Sequence, residues 1–278
     1  MRKLIHANFV RMVRGKIFWI IEAALAGYAV FAYASVAGNI KRGLGIPDSF
    51  LFVFFNEMLA MGAVMALFTI LFLGVEYSNG VIRNKISTGH RRRDIYLANL
   101  VTCYTAGVIQ FLTYSLTALL TGWLLLGETA LIGLNQMSWR IVCSLLIILC
   151  YAAVFTLIIM LDDHGMRVTA VSFVLVLAFF ILVMQIFGDL SEPEVRSRTV
   201  TSQEGEVQIE EAVPNPRYVT GTKRVVYEWL DTFLPADQAM YILLPETEYT
   251  LKAPLCLLGE SIVLTAFGLY FFKRKDIR

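Results

Sequence analysis

Six apolar runs alternate with polar segments along the chain, and this alternation predicts six membrane-spanning helices. Each run reaches or exceeds the ~17–20 residues that a helix needs to cross the hydrocarbon core. Backbone groups in lipid must be hydrogen-bonded within their own element, so a helix is expected at every run. We number the runs as spans one to six: residues 17–37, 50–74, 94–126, 141–161, 168–187 and 254–272.

The composition is typical of an integral membrane protein rather than a soluble domain. Hydrophobic residues make up 57% of the chain, charged residues make up 17%, and the mean hydropathy is +0.64. All four cysteines lie in apolar runs, so they offer neither a disulfide framework nor a CxxC metal signature. We interpret them as small hydrophobic residues in the bilayer: Cys103, Cys143, Cys150 and Cys256.

The distribution of Lys and Arg predicts the orientation of the spans. Most of these residues lie in residues 1–16, in the loop of residues 76–94, and after residue 272. Short loops rich in Lys and Arg stay on the cytoplasmic side, and six spans place both termini on one side. We therefore expect both termini in the cytoplasm and the long segment 188–253 outside.

Residues 1–16 are predicted to form a helix that lies on the cytoplasmic membrane surface. Ile5, Phe9 and Met12 share one helix face. Basic side chains cluster on the opposite face: Lys3, Arg11 and Arg14. The alternative is a secretory signal, but the apolar run 17–37 exceeds the ~7–15 residues of a signal h-region. We therefore expect that run to be retained as the first span.

The loop of residues 76–94, between spans two and three, has more pattern than a neutral linker. Glu76 is expected to end the preceding helix, and Gly80 can adopt the positive φ of a sharp turn. Helical spacing then predicts a short amphipathic helix. One side of this helix carries Val81, Ile82, Lys85 and Ile86, and the other side carries Arg83 and Asn84.

The same loop ends in a basic cluster. Gly89 is placed to end the short helix, Arg91, Arg92 and Arg93 follow, and Asp94 is expected to cap span three. A short amphipathic helix at the base of two spans suits docking on a soluble partner. The alternative is a positively charged loop that only fixes the topology.

The external segment 188–253 is predicted to carry a small α+β structure on an acidic surface. Residue alternation predicts a hairpin, and helical spacing predicts two short helices separated at Pro235. These elements are residues 195–202 and 207–213, then residues 223–233 and 237–244. The two helices are expected at the outer membrane interface, either as a lid or as a small cap with no substrate role.

No catalytic constellation is found in the sequence. It lacks GxxxxGK[ST], so we expect no nucleotide-binding P-loop in this chain. HExxH and GxSxG are also absent, which counts against a metalloprotease and a serine hydrolase. Asp162, Asp163 and His164 favour a polar turn, because three adjacent residues have poor chelating geometry. We predict no catalytic residue, no metal ligand and no cofactor bound by this chain.

Polar residues within the spans are candidates for function because burying a charge in lipid is costly. They are Glu22, Glu57, Gln110 and Gln185. Glu22 lies near the cytoplasmic end of span one, where it can pair with Lys16. Glu57 lies beside Asn56 near the outer end of span two. Because the two glutamates enter from opposite membrane sides, they argue against an intramembrane enzyme.

Span two also carries a small-xxx-small pattern formed by Gly62 and Ala66. Such a pattern permits the close approach of two helices. Together with Asn56 and Glu57, it predicts that this face lines either a substrate pathway or a protomer interface.

The order of these parts resembles the permease subunit of ABC-2-type transporters, bacterial relatives of the ABCG-like exporter fold. The shared parts are an interfacial helix, six spans, a long external segment before the last span, and a loop motif. The motif residues here are Glu76, Gly80, Ile82, Asn84 and Lys85, then Arg92, Ile95 and Tyr96. The chain departs at Asn99, where many relatives have Lys, and in the run His90–Arg93, where many relatives have Ser just before the Arg.

The resemblance implies an all-α polytopic fold. Its parts are an interfacial helix (1–16), spans one to five with the coupling loop 76–94 (17–187), the external α+β segment (188–253), and the sixth span with its tail (254–278). It implies two permeases, as a homodimer or with a paralogue, on two copies of an ABC ATPase that binds ATP and Mg. The coupling residues implied are Glu76, Gly80, Val81, Ile82, Asn84, Lys85, Ile86 and Arg92.

The function expected from the resemblance is ATP-driven export across the bacterial plasma membrane, with antimicrobial peptides as the substrate class. Drugs and lipids are the alternative cargo. A membrane sensor or anchoring protein with a ligand-binding external segment is the alternative class. The expected partners are the ATPase, the second permease and the bilayer, with no nucleic acid.

Overall fold

The computed structural model describes residues 1–44, 49–126, 134–162, 165–201, 208–244 and 251–275. These residues form helices almost throughout, with one two-stranded hairpin. In chain order the helices are α1 (Arg2–Arg14), α2 (Lys16–Lys41), α3 (Ser49–Phe55), α4 (Glu57–Ser78), α5 (Val81–Ser87), α6 (Arg92–Leu126), α7 (Leu134–Leu161), α8 (Gly165–Ser191), α9 (Gly221–Phe233), α10 (Pro235–Leu243) and α11 (Lys252–Arg274). The strands are β1 (Val195–Thr201) and β2 (Gln208–Pro214).

Six of these helical stretches are long and apolar enough to cross a membrane, so the fold is that of an all-α polytopic membrane protein. Each of the six coincides with one of the predicted spans. The helices extend a few residues beyond the apolar runs because polar residues at both ends continue the hydrogen-bond ladder.

The second span is divided, which the sequence pattern did not predict. The helix breaks at Asn56 into α3 and α4, with Glu57 as the first residue of α4. The Asn56 N–H donates to the carbonyl of Val53, and the Leu59 N–H donates to that of Asn56. These three-residue spacings mark a 3₁₀-like turn within an otherwise apolar helix.

α6 and α7 form the centre of the bundle. α6 contacts α1, α2, α4, α7 and α11, and α7 contacts α4, α8, α10 and α11 as well. Gly107 of α6 lies where a Cβ would collide with Met65 and Ile148. A glycine is therefore required at this point for α4, α6 and α7 to approach one another.

The external segment has the predicted order of hairpin and two helices. β1 pairs antiparallel with β2, with Val195 opposite Pro214, and the predicted turn at residues 203–206 lies outside the described residues. α9 contacts α8 and α11, whereas α10 contacts α4 and α7. Arg140 at the start of α7 is buried and donates to the carbonyls of Ile242 and Leu244, which holds the end of α10 on the bundle.

Candidate coupling site

The short helix predicted in the loop is present as α5, between two glycines with positive φ. Gly80 has φ 64° and precedes α5, and Gly89 has φ 87° and follows it. Both glycine predictions are confirmed. The predicted cap at Asp94 is wrong, because α6 begins at Arg92 and Asp94 lies within its first turn. The Asp94 carboxylate still lies near the positive end of the helix dipole.

The apolar side of α5 faces the protein's own bundle. Ile82 is fully buried, and Ile86 packs against the same small apolar cluster. The other buried members are Leu4, Ile95, Tyr96, Ala98, Met160 and Phe272. The expectation that Val81, Ile82 and Ile86 contact a partner is therefore wrong for Ile82. Helical spacing identifies an apolar face but does not reveal what covers it.

Glu76 is the centre of a buried polar network at the base of the bundle. Its side chain is 1% exposed, and Oε1 accepts from Arg11 Nη1 at 2.7 Å and from Lys85 Nζ. Asn99 Nδ2 donates to the other oxygen, Oε2, at 3.3 Å. Two cations and one amide thus surround a carboxylate that has almost no contact with water.

Two asparagines complete this network. Asn8 Nδ2 donates to Asn99 Oδ1 at 2.8 Å, and Lys85 Nζ donates to Asn8 Oδ1 at 3.2 Å. Asn8 and Asn99 are both buried. We call Asn8, Arg11, Glu76, Lys85 and Asn99 the Glu76 network. It joins the surface helix α1, span two (α4), the short helix α5 and span three (α6).

The Arg11 side chain binds in two ways. Its guanidinium pairs with Glu76 and lies over the Phe72 ring, 3.9 Å from the centroid. Burial lowers the pKa of Arg11, whereas the neighbouring Glu76 carboxylate raises it. Arginine remains charged under all ordinary conditions, so the ion pair persists.

Arg92 joins the last helix to the same region. Its Nη1 donates to the carbonyls of Phe272 at 3.2 Å and Lys273 at 3.4 Å, and to that of Lys275. These are the C-terminal carbonyls of α11, which lack partners within the helix. Lys275 in turn lies over the Tyr77 ring at 4.6 Å. Arg92 is therefore a helix cap rather than part of a free basic cluster.

The outward face of α5 is polar. Arg83, Asn84, Ser87 and Thr88 are exposed, as are Arg91 and Arg93 beyond Gly89. Of the motif residues, Asn84 lies on this outward face, Lys85 turns inward to Glu76, and Gly80 forms the turn. The loop thus presents hydrophilic and basic groups outward and keeps its apolar groups for its own bundle.

The residues expected to line a pathway or a protomer interface lie inside the chain. Glu57 is 1% exposed, Ala66 is buried, and Asn56 Nδ2 donates to Tyr28 Oη at 2.8 Å. A Cβ at Gly62 would lie 3.0 Å from the Tyr151 ring of α7. Gly62 of the small-xxx-small pattern therefore serves packing of α4 on α7 within the chain, and a role of this face in a protomer interface stays a prediction.

One apolar cleft does open beside this contact. It has a volume of about 330 Å³ and lies between α4, α7 and α8. Gly62, Tyr151 and Phe155 line it on one side, with Phe173 and Phe180 of α8 opposite.

The other intramembrane polar residues also differ from expectation. Glu22 is buried and has no ion pair with Lys16 among the described residues. Gln110 is fully buried, whereas Gln185 is exposed and its Nε2 lies 3.5 Å from Tyr227 Oη. Depth along a span therefore predicts neither exposure nor partner.

The described residues contain no group of three or more His, Cys, Asp or Glu that could hold a metal ion. Asp162 pairs with Arg167 at 3.4 Å, which fits a polar turn, while Asp163 and His164 lie outside the described residues.

No protein-family model matches the sequence, and no curated protein matches it either. The function is therefore argued from the geometry of this site.

Proposed function

We propose that this chain is the permease subunit of an ATP-driven ABC-2-type exporter in the bacterial plasma membrane, with both termini in the cytoplasm. The observation that carries the proposal is the Glu76 network. It fixes a short helix, α5, to spans two and three at the end of the bundle where Lys and Arg are concentrated.

A helix fixed in this way transmits displacement. Because Lys85 of α5 binds Glu76 of α4, and Glu76 binds Asn99 of α6, a push on α5 moves the bases of both spans together. The burial of Ile82 strengthens this attachment. ATP and Mg are bound by a separate ATPase, of which two copies act on two permeases.

The surface offered to the ATPase is the outward face of α5. Arg83, Asn84, Ser87 and Thr88 supply hydrogen-bonding and basic groups there. Charged groups at such an interface set its register and speed its association. The proposed docking face is therefore polar, not apolar. Aspartates at Val81, Ile82 and Ile86 would not test docking, because they would first disrupt the packing of α5 on the bundle.

The substrate class rests on analogy alone: small permeases of this type export antimicrobial peptides or confer immunity to them, and drugs or lipids are the alternative. Alternating access of the two permeases would carry the substrate outward. The described residues of this chain bind neither ATP nor Mg in this scheme.

The test compares two charge reversals, Arg83→Glu and Arg167→Glu. Both residues are exposed and lie at the end of the bundle assigned to the cytoplasm, Arg83 in α5 and Arg167 in the first turn of α8. Arg83→Glu is expected to reduce co-purification of the ATPase about tenfold, equivalent to about 1.4 kcal/mol, whereas Arg167→Glu leaves it unchanged. Full co-purification and normal substrate-stimulated hydrolysis with Arg83→Glu would contradict the proposal.

An open polar cleft favours a second candidate function, a membrane sensor or anchoring protein. The cleft has a volume of about 750 Å³ and lies between the end of α8, the loop that follows β2 and the start of α9. Lys223 pairs with Asp189 at 3.0 Å at its edge, and Arg217 lines it. Isolation of the wild-type chain without any ATPase, but with a ligand in this cleft, would favour this alternative.

A further inference from the structure

Glu22 of α2 and Glu57 of α4 are both buried inside the bundle, although they enter the membrane from opposite ends of the first two spans. The two carboxyl groups are within electrostatic range of each other. Glu22 is 5% exposed and Glu57 is 1% exposed. Entry from opposite sides therefore does not take the two carboxyl groups out of electrostatic range. Asn56, the neighbour of Glu57, contacts Tyr28 in the middle of α2.

Neither carboxyl group is satisfied by the protein. All four carboxylate oxygens are buried without a hydrogen-bond partner, and neither glutamate forms an ion pair among the described residues. Thr113 of α6 lies within interaction range of Glu22, but the geometry of a hydrogen bond is not met at either oxygen. Buried charges in proteins are ordinarily paired or bind a cation.

The hydroxyl groups of two nearby tyrosines take part in other hydrogen bonds. Tyr28 accepts from Asn56 at 2.8 Å, and Tyr114 donates to the carbonyl of Val53 at 2.7 Å. The titratable groups within electrostatic range of Tyr114 of α6 are Glu57 and the tyrosines Tyr28 and Tyr33 of α2. In the described part of the chain, no Lys, Arg or His side chain neutralises the two glutamates.

Gln110 is a second, independent indication of a ligand. It lies on the face of α6 that carries Thr113 and Tyr114, one turn away. The side chain is fully buried, and both its amide oxygen and its amide nitrogen lack a partner. This unpartnered amide oxygen lies one turn from Thr113, which is within interaction range of Glu22, so it adds an acceptor that lacks a donor or a cation.

The chemistry of this set limits the ligand to small hard cations. All the free acceptors are oxygens, which prefer protons and hard metal ions over soft ones. Fully buried Phe55, Met58 and Met61 flank Glu57, so the surroundings suit a compact ion rather than an organic cation. Mg²⁺ loses its waters reluctantly, and Ca²⁺ needs about 6–8 oxygen ligands, so a monovalent ion fits better.

We propose that Glu22, Glu57 and Gln110 form an intramembrane site for a small monovalent cation, either a proton or an alkali ion, which neutralises the carboxylate pair. This site would make conformational changes of spans one to three respond to a cation. The inference stands without the ATPase partner, since it concerns this chain alone.

The experiment measures thermal unfolding of the purified full chain in lipid nanodiscs. One arm varies NaCl against choline chloride at equal ionic strength. The other lowers the pH from 8 to 5 in choline chloride, with every chain in an Asp237→Asn background, because Asp237 by itself gains stability as the pH falls through this range. Neutralising the pair favours the folded state, so the wild-type Tm should rise by about 2–4 °C in one arm or both. Glu22→Gln and Glu57→Gln should each remove at least half of that rise.

Glu260→Gln is the matched control. Glu260 is another glutamate within a span, but its carboxylate accepts from Cys150 Sγ at 3.5 Å. This variant should keep the wild-type response. A response to NaCl at fixed pH identifies an alkali ion, and a response to pH alone identifies a proton.

A wild-type Tm that responds to neither NaCl nor pH overturns the proposal, as does a response that survives in both glutamine variants. If neither variant folds, modification of the wild-type chain by dicyclohexylcarbodiimide decides the question. This apolar reagent reacts with protonated carboxyl groups. Modification of Glu22 or Glu57 that falls with NaCl or with rising pH supports the site, and modification that is constant or absent overturns it.

Discussion

Replacing Lys85 with Met should destabilise the whole base of the bundle. Lys85 supplies one of the two cations that neutralise Glu76, and Met keeps much of its apolar length. Removing one partner of a buried ion pair costs ~3–5 kcal/mol. Arg11 and Asn99 remain at Glu76, and the Lys85 side chain is 14% exposed, so we expect the low end of this range, ~3 kcal/mol.

A double-mutant cycle separates the ion pair from other effects of the substitution. The Glu76→Gln chain no longer carries the carboxylate that Lys85 neutralises. Adding Lys85→Met to that chain should therefore cost much less than ~3 kcal/mol of unfolding free energy. We expect a coupling energy of ~1.5–3 kcal/mol between the two positions. Arg91→Met is the control, since Arg91 is exposed and is not a member of the Glu76 network.

The assay is thermal unfolding in nanodiscs, followed by substrate-stimulated ATP hydrolysis with the reconstituted partner. A loss of ~3 kcal/mol corresponds to a Tm lower by ~6–12 °C, whereas Arg91→Met should change the Tm by less than ~2 °C. Stimulation of hydrolysis by substrate should fall with Lys85→Met and partly recover in the double variant. Additivity of the two single substitutions within ~0.5 kcal/mol would refute the coupling.

Three further outcomes follow from the described contacts. Arg92→Ala should cost ~1–2 kcal/mol and speed amide hydrogen exchange in the last turn of α11, because it removes the cap on those carbonyls; unchanged exchange would contradict the cap. Burial, and then repulsion from another carboxylate, raises the pKa of Asp237 to about 8, so this group lowers stability progressively from about pH 4 to pH 8. Asp237→Asn should accordingly raise the Tm more at pH 8 than at pH 5, and an equal rise at both would exclude this titration. A cysteine at Glu228 should react with an impermeant thiol reagent in intact cells and one at Thr88 should not; labelling at Thr88 would reverse the proposed orientation.

Local chemistry predicted the elements well. The apolar runs located all six helices that are long and apolar enough to span a membrane, and Gly80 and Gly89 located both ends of α5, because each signal lies within a few residues of its consequence. Pro235 likewise marked the boundary between α9 and α10. Such features depend on chain geometry that neighbouring residues determine.

The partners of the polar residues were not predictable in the same way. Glu76 was expected at the end of span two, but its contacts with Arg11 and Asn99 join positions far apart in the sequence. Asn8 carried no local signal at all. Asn99 could have been found from its place in span three, since an uncharged amide at the depth of Glu76 marks a buried hydrogen-bond site. For Ile82, helical spacing predicted its place on the apolar side of α5 but not its burial against the chain's own bundle.

The proposed coupling role is tested most directly by identifying the molecule that contacts the outward face of α5 when the protein is in its native membrane. A photoreactive amino acid at Ser87 should form a crosslink to a soluble protein that carries a P-loop. After illumination, the crosslinked complex should no longer release ADP. The same residue placed at Arg167 should give no such product. A crosslink from Ser87 only to lipid or to a second copy of this chain, with the ATPase recovered uncrosslinked, would contradict coupling through α5.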